Sequence, residues 1–270
     1  SFSGTRGGLD YQIQAQSGNN HDVTTYKENS VLGDFSANDF IYRKDIDDGG
    51  GYGLSANVGY EINPNSSARL SGQFTEGTND TDINRKTVNL RTQPGIESYQ
   101  REDIRSKINN WEIGGDYEYN TARGDRFKVL LISNSFTPDR LRERWNLTGP
   151  SSESKNLFLD STSTTKERII RSSYTLDMFG DSQDIEFGAE RAQTILDSSL
   201  ALGTLNPNGI SSAAVGGLVP VDIPNARSSV EEMRYEPFVI HNWVFNPRMS
   251  LESSISVSYT HLRAHETVLD

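Results

Sequence analysis

The stretch GLSANVGYEINPNSSARLSGQFTE, residues 53–76, decides how this chain is built. Leu54, Ala56, Val58, Tyr60 and Ile62 alternate with Ser55, Asn57, Gly59 and Glu61. Beyond NPNSS (63–67), Ala68, Leu70 and Phe74 alternate with Arg69, Ser71, Gln73 and Thr75. A period of two sends successive side chains to opposite faces, so both runs read as strands with one apolar and one polar face. Asn, Pro and Ser between them are turn formers, and the whole reads as a hairpin.

The same alternation recurs along the chain. In LDYQIQAQ, Leu9, Tyr11, Ile13 and Ala15 oppose Asp10, Gln12, Gln14 and Gln16. In WEIGGDYEY, Trp111, Ile113, Tyr117 and Tyr119 oppose Glu112, Asp116 and Glu118. RFKVLLISN is less clean, because Leu130 and Ile132 fall on the face opposite Phe127, Val129 and Leu131. IIRSSYTLDMF, IEFGAERAQT, EEMRYEPFVIHNWVF and MSLESSISV complete about nine strands of roughly 8–15 residues, long for a globular domain. NPNSS, NTARGD (120–125), GDSQD (180–184) and NPR (246–248) are compact turns. The connections near 18–52, 77–108, 137–165 and 195–229 read instead as polar segments of about thirty residues. Short and long connections alternate throughout, as they do in an outer-membrane barrel with short periplasmic turns and long outer loops.

Composition agrees. The 270 residues include no cysteine, carry a formal net charge of -11 and are 34% hydrophobic, with a mean hydropathy of -0.62. No run approaches the roughly 18 apolar residues of a transmembrane helix. The N-terminal SFSGTRGGLD has neither the basic nor the apolar region of a signal peptide and no initiator methionine, which reads as a start within a longer protein. The acidic balance argues against nucleic acid as a partner. The expected fold is therefore all-β: an antiparallel transmembrane β-barrel fragment of about nine strands, with short periplasmic turns and long extracellular loops, not closed as given. Arg69, Gln73, Glu112, Asp116, Lys128 and Glu186 are expected to face a wet lumen. Tyr60, Trp111, Tyr117, Tyr119, Tyr174, Tyr235 and Trp243 are expected to form interfacial girdles. The facing of EEMRYEPFVIHNWVF is ambiguous, and Pro237 within it suits a central ladder badly.

Three segments carry a resemblance. SSYTLDMFGDSQDIEFGAERAQTILDSSLAL (172–202), VPVDIPNARSSVEEMRYEPFVIHNW (219–243) and WEIGGDYEYNTARGDRFKVLLIS (111–133) resemble the barrel of TonB-dependent outer-membrane receptors. The likeness covers most of residues 9–256 as a style of hairpin. It implies a Gram-negative outer-membrane location and active uptake of a scarce nutrient such as an iron–siderophore complex. It also implies a TonB energy-coupling complex as partner, reached through a plug region absent from this sequence, and a parent barrel of about 22 strands. It transfers no cargo-binding residue. A passive porin-type barrel, or a secreted all-β binding or adhesin module folded as a sandwich, remain the alternatives.

No cofactor, catalytic or metal site emerges. Arg123-Gly124-Asp125 spells an adhesion tripeptide but lies in a turn that favours Gly and Asp. NDTDIN (79–84) alternates oxygen ligands without the glycine and distal glutamate of a Ca²⁺ loop. IDDGGGYG (46–53) lacks the Lys-Ser/Thr step and helix of a phosphate loop. His21 and His241 have no nucleophile elbow to serve, so an enzyme is not expected. Arg140, Arg142 and Arg144, in FTPDRLRERW (136–145), are the ligand-loop candidates, since guanidinium pairs bidentately with carboxylate and phosphate. The favoured reading of the run is nevertheless a solvated, self-paired charge cluster. Finally, VSYTHLRAHETVLD (257–270) breaks the strand pattern. It resembles the peptide encoded when a sequencing-library adaptor is read in frame. The chain is thus read as a partial receptor barrel over 1–256 and a non-native tail over 257–270, and His261 and His265 are not taken as metal ligands.

Overall fold

The computed structural model describes residues 1–149, 152–178 and 182–266. The chain is all-β. Its strands are β1 (Phe2–Arg6), β2 (Leu9–Val31), β3 (Ala37–Asn63), β4 (Ser66–Asn89), β5 (Ile96–Asn120) and β6 (Arg126–Gly149). They continue as β7 (Ser152–Met178), β8 (Gln183–Thr204), β9 (Val219–Pro220), β10 (Arg227–Asn246), β11 (Met249–Ser256) and β12 (Tyr259–Glu266). A single 3-10 turn, Ala213–Val215, is the only helical element among the described residues. All twelve strands form one antiparallel sheet in chain order, with β9 and β12 pairing at the ends of β8 and β10. The first and last strands do not pair, so the sheet is the open wall of a barrel. Among the described residues every strand belongs to this one sheet.

A one-layer sheet has almost no core. Its buried apolar residues are Ile83, Ile104, Ala192, Val215 and Leu218. The accessible surface is 17814 Å² for 30.1 kDa. A compact soluble chain of that mass exposes about 11,700 Å². The apolar side of the strands contributes to the excess, with Ile113 55% and Leu131 52% exposed.

The ladders test the facing read from alternation. Directly opposed residues share a face. Following the registers, Tyr11, Val58, Leu70, Gly115, Leu131, Ile170, Arg191 and Tyr235 form one row. The neighbouring row on the other face is Asp10, Gly59, Arg69, Asp116, Leu130, Arg171, Glu190 and Glu236. Every residue assigned to the apolar side lies on the first face, and Arg69, Gln73, Glu112, Asp116, Lys128 and Glu186 all lie on the second. The ambiguous strand is settled: Tyr235, Val239 and Trp243 point to the apolar face, and Phe238 to the polar one. There the Phe238 ring lies over Gly188, where a Cβ would come within 2.6 Å of it, and Arg171 stacks on that ring at 4.3 Å.

The apolar face is a belt that slides across the register. It spans 52–62 on β3, 111–119 on β5, 170–176 on β7 and 235–245 on β10. The row through Val58 crosses the middle of the belt on β3 and marks its upper end on β10. The slip is about one residue per strand, 3.4 Å for every 4.8 Å of sheet, which corresponds to strands tilted by about 35°. A ten-residue strand segment at that tilt is roughly 28 Å tall.

The polar connections are where the structure departs from the sequence reading. Segments 18–52, 77–108 and 137–165 are mostly paired strand, so β2 to β8 run 22–27 residues each. Their connections shrink to 32–36, 90–95 and the two undescribed residues 150 and 151, and only 205–226 remains a long loop. These segments alternate nothing apolar because both faces meet water, and a ladder needs only backbone donors and acceptors. The GDSQD turn falls partly outside the described residues.

β11 and β12 pair with β10 in one unbroken register, from Asn242↔Glu252 to Ser228↔Glu266. The gap between them sits opposite Pro237. Val257 N donates to Pro237 O at 3.1 Å, but Pro237 has no N–H to return. β12 places His261 and His265 about 13 Å apart along the backbone. Residues 267–270 lie outside the described chain. Replacing Pro237 by Val restores the rung donor, so amide exchange at 255–260 is expected to slow several-fold, corresponding to about 1 kcal/mol. Hydrogen-exchange mass spectrometry checks this.

Candidate functional site

Above the belt, on the polar face, lies the most enclosed part of the sheet. Asp45, Ile83, Glu102, Arg144 and Leu157 form one cross-strand row. Asp47, Thr81, Ile104, Arg142 and Leu159 form the row below, and Arg43, Arg85, Gln100 and Asn146 the row above. The patch lies about eight residues, roughly 20 Å of height, from the top of the belt on β3. Ile83 and Ile104 give it an apolar floor, against which two carboxylates are buried: Asp45 is 5% and Glu102 4% exposed.

Burying a carboxylate requires a cation and hydrogen bonds. Arg43 grips Asp45 with both arms, Nε to Oδ1 at 2.6 Å and Nη2 to Oδ2 at 2.5 Å. That bidentate bond holds the Arg43 guanidinium more firmly protonated than usual. Arg142 holds Glu102 less symmetrically: Nη2 donates to Oε2 at 3.1 Å, while Nε lies 2.7 Å from Oε1 in an ion pair without hydrogen-bond alignment. Arg144, directly opposite Glu102, donates instead to Asn156 Oδ1 at 3.0 Å. Arg85 makes no ion pair among the described residues, and its Nε has no partner. Four guanidiniums thus face three carboxylates, Asp45 and Glu102 paired with arginine and Asp47 accepting from Thr81 Oγ1, and Arg85 and Arg144 remain without an ion pair among the described residues.

The candidates Arg140, Arg142 and Arg144 are therefore placed differently from their expected loop. All three lie on β6, spaced by two residues and turned to one face. Glu143, between them, points to the other face and pairs with Lys155 at 2.6 Å, so the run is not neutralised by its own glutamate. Arg140 is exposed and separate, beside a hollow of about 480 Å³ lined by Ser161, Ser163, Ser198 and Asn225. Arg43, Asp45, Arg85 and Glu102 were not legible as a site. They come from three strands, and their only sequence signal is charge alternating with a lone isoleucine in KDID and REDIR.

Other motifs resolve as structure. Asp125 of Arg123-Gly124-Asp125 accepts from Tyr174 Oη at 3.0 Å and from Asp177 N at 3.3 Å, fixing the turn in which Gly124 takes φ 97°. NDTDIN lies within β4, where Asp82 and Asp80 pair with Arg105 at 2.9 and 3.7 Å. No cluster of metal-ligating side chains occurs among the described residues. IDDGGGYG is an internal part of β3. His21 Nδ1 meets Asp48 Oδ1 at 2.5 Å on the outward face.

The outward face of the same upper region is laced with ion pairs. Arg101 stacks 4.0 Å over Trp145 and bridges Asp103 and Glu153, and Lys155 lies 5.4 Å over the same ring. The Arg101 bond holds the Glu153 carboxyl below the usual range, and Lys86, with Tyr99, does so for Glu97.

No known protein family matches this chain, and no characterised protein is significantly similar to it in sequence.

Two expectations follow. Arg142→Ala strands the buried Glu102 and should cost about 1–3 kcal/mol, below the full value for a buried pair because Arg142 is partly exposed. Arg140→Ala should stay within about 0.5 kcal/mol; denaturant midpoints compare them. Glu97 and Glu153 titrate lower folded than unfolded, so their stabilisation is complete at neutral pH and is lost as pH falls through the lowered values. Amides at the tips of β4, β5 and β7 should gain exchange in acid relative to the belt, after correction for intrinsic rates.

Proposed function

We propose that this chain is part of the wall of a Gram-negative outer-membrane barrel of the TonB-dependent receptor type. Its task is the uptake of a scarce nutrient such as an anionic iron–siderophore complex. The observation that carries this reading is the tilted apolar belt. A water-exposed stripe of this width has no place in a soluble protein, while its height and slope suit a bilayer crossed by inclined strands. Aromatic side chains edge it above, at Tyr52, Phe74, Trp111 and Tyr235, and below, at Tyr60, Tyr119 and Trp243. Inside that height the opposite face is polar and ion-paired, with Arg234 to Glu190 at 2.7 Å and Arg69 to Asp116 at 3.7 Å, as a wet lumen requires.

The uptake reading rests on the resemblance of the hairpins and on the wall above the belt. There the sheet continues for roughly 40 Å on β3, and its inner face carries the arginine patch. Arg85 and Arg144, lacking carboxylate partners, offer donors to an anionic chelate, and Arg43 and Arg142 hold the carboxylates that keep the patch in shape. Lipid contacts the outer face, and the coupling complex acts through the plug of the parent protein. The long-strand side is then extracellular and the short-turn side periplasmic.

Facing is tested by two adjacent residues. Val129→Arg puts a charge on the belt near its centre and should destabilise the full-length barrel by about 2–4 kcal/mol in lipid, whereas Leu130→Arg enters the lumen and should be nearly neutral. Equal effects would discard the belt. Transport is tested by iron-chelate uptake into cells carrying the complete gene. Uptake should stop when the inner-membrane coupling protein is deleted, and persistence would favour a passive pore.

A further inference from the structure

The upper edge of the apolar belt is not uniform. On β3, β4, β5 and β10 it ends in Tyr52, Phe74, Trp111 and Tyr235. On β6, β7 and β8 the equivalent height carries Ser133, Arg168 and Arg191. Directly below this break is a hollow of about 400 Å³ on the outward face, lined by Leu70, Ile113, Gly115, Leu131 and Ile170. It exists because Gly115 contributes no side chain to a row of large apolar ones.

The two arginines are diagonal neighbours, since Arg168 lies opposite Gln193 and Arg191 opposite Ile170. The Arg168 side chain makes no ion pair or hydrogen bond among the described residues, its backbone pairing in the ladder of β7. Arg191 reaches only the Met233 thioether, Nη2 to Sδ at 3.3 Å. The outward carboxylates nearby are already engaged: Glu231 accepts from Gln193 at 2.7 Å, and Asp197 accepts from Ser229 at 2.6 Å and pairs with Lys166. Two guanidiniums without anions thus stand at the height where lipid headgroups meet hydrocarbon, above a slot that fits a chain.

We infer that this break is a binding site for one anionic lipid. An acyl chain lies in the hollow over Gly115, and its phosphate sits between Arg168 and Arg191. Guanidinium donors match phosphate oxygens, and the proximity of hydrocarbon strengthens the pairing. The girdle aromatics elsewhere hold the interface without preference for charge. The proposal rests on the membrane reading above and adds to it a selective site where a uniform annulus would otherwise be expected.

The described chain has no cysteine, so Ser133→Cys in the full-length barrel, with any cysteine elsewhere in the parent replaced by serine, gives a single thiol for a fluorophore beside the hollow. The protein is reconstituted into phosphatidylcholine vesicles containing either brominated phosphatidylglycerol or brominated phosphatidylcholine. The anionic lipid should quench at a several-fold lower mole fraction. Arg168→Gln with Arg191→Gln should reduce that preference by about fivefold per arginine. Ile113→Trp, which fills the hollow and keeps both arginines, should also reduce it. Heat-dependent gel migration identifies the folded variants. Equal quenching by the two lipids overturns the site and leaves the membrane reading standing. Quenching by neither overturns the membrane reading itself. A preference that survives both variants places the selectivity elsewhere and overturns the assignment.

Discussion

Everything in this molecule depends on the strand-to-strand hydrogen bond. A sheet one layer thick has no interior in which to hide apolar side chains, so it gains little from a conventional core. What holds it is the ladder, continuous through registers of more than twenty pairs between most neighbouring strands. In water such a ladder gains little net free energy per bond, because water offers competing partners. In hydrocarbon an unpaired backbone group is prohibitively expensive, so the same ladder becomes obligatory. The exposed belt and the unbroken ladder are therefore two consequences of one proposed solvent.

The slope of the belt links them geometrically. Side-chain alternation decides which face is apolar; on the membrane reading proposed above, the height of each apolar run is set relative to the bilayer, not to the neighbouring strand. If strands stood upright, the runs would align along the register. They slip by about one residue per strand, so the sheet must lean by about 35° for the belt to stay level. Pro237 shows how tolerant the scheme is: it removes one donor on β10, and the register continues past the missing rung.

Above the belt, water meets both faces and different physics takes over. Here the ladder is supported by charge. Inward, buried Asp45 and Glu102 are held by Arg43 and Arg142; outward, Trp145 lies between Arg101 and Lys155. The loop over 205–226 adds apolar packing there, placing Val215 and Leu218 against Gly203. The inner arginines and the girdle break at Arg168 and Arg191 answer different needs. The first group is mostly neutralised by its own carboxylates, while the second has none.

The sequence by itself determined the class of fold and the facing of the strands, because period-two alternation is a local property visible wherever one face is apolar. Leu54 to Ile62, Ala68 to Phe74 and Trp111 to Tyr119 needed no partner to be read. It could not reveal how far the strands run. In 18–52 and 77–108 both faces are polar, so the alternation vanishes although the ladder continues. Nor could it assemble the sites. Arg142 and Arg144 were visible as a run, yet their meaning depends on Glu102, about forty residues earlier and directly opposite only once the β5–β6 register is fixed. The slip of the belt, and the coincidence of Arg168 and Arg191 above the space at Gly115, are likewise properties of the register. Alternation is decided within a strand; register is decided between strands, and only the tertiary structure contains it.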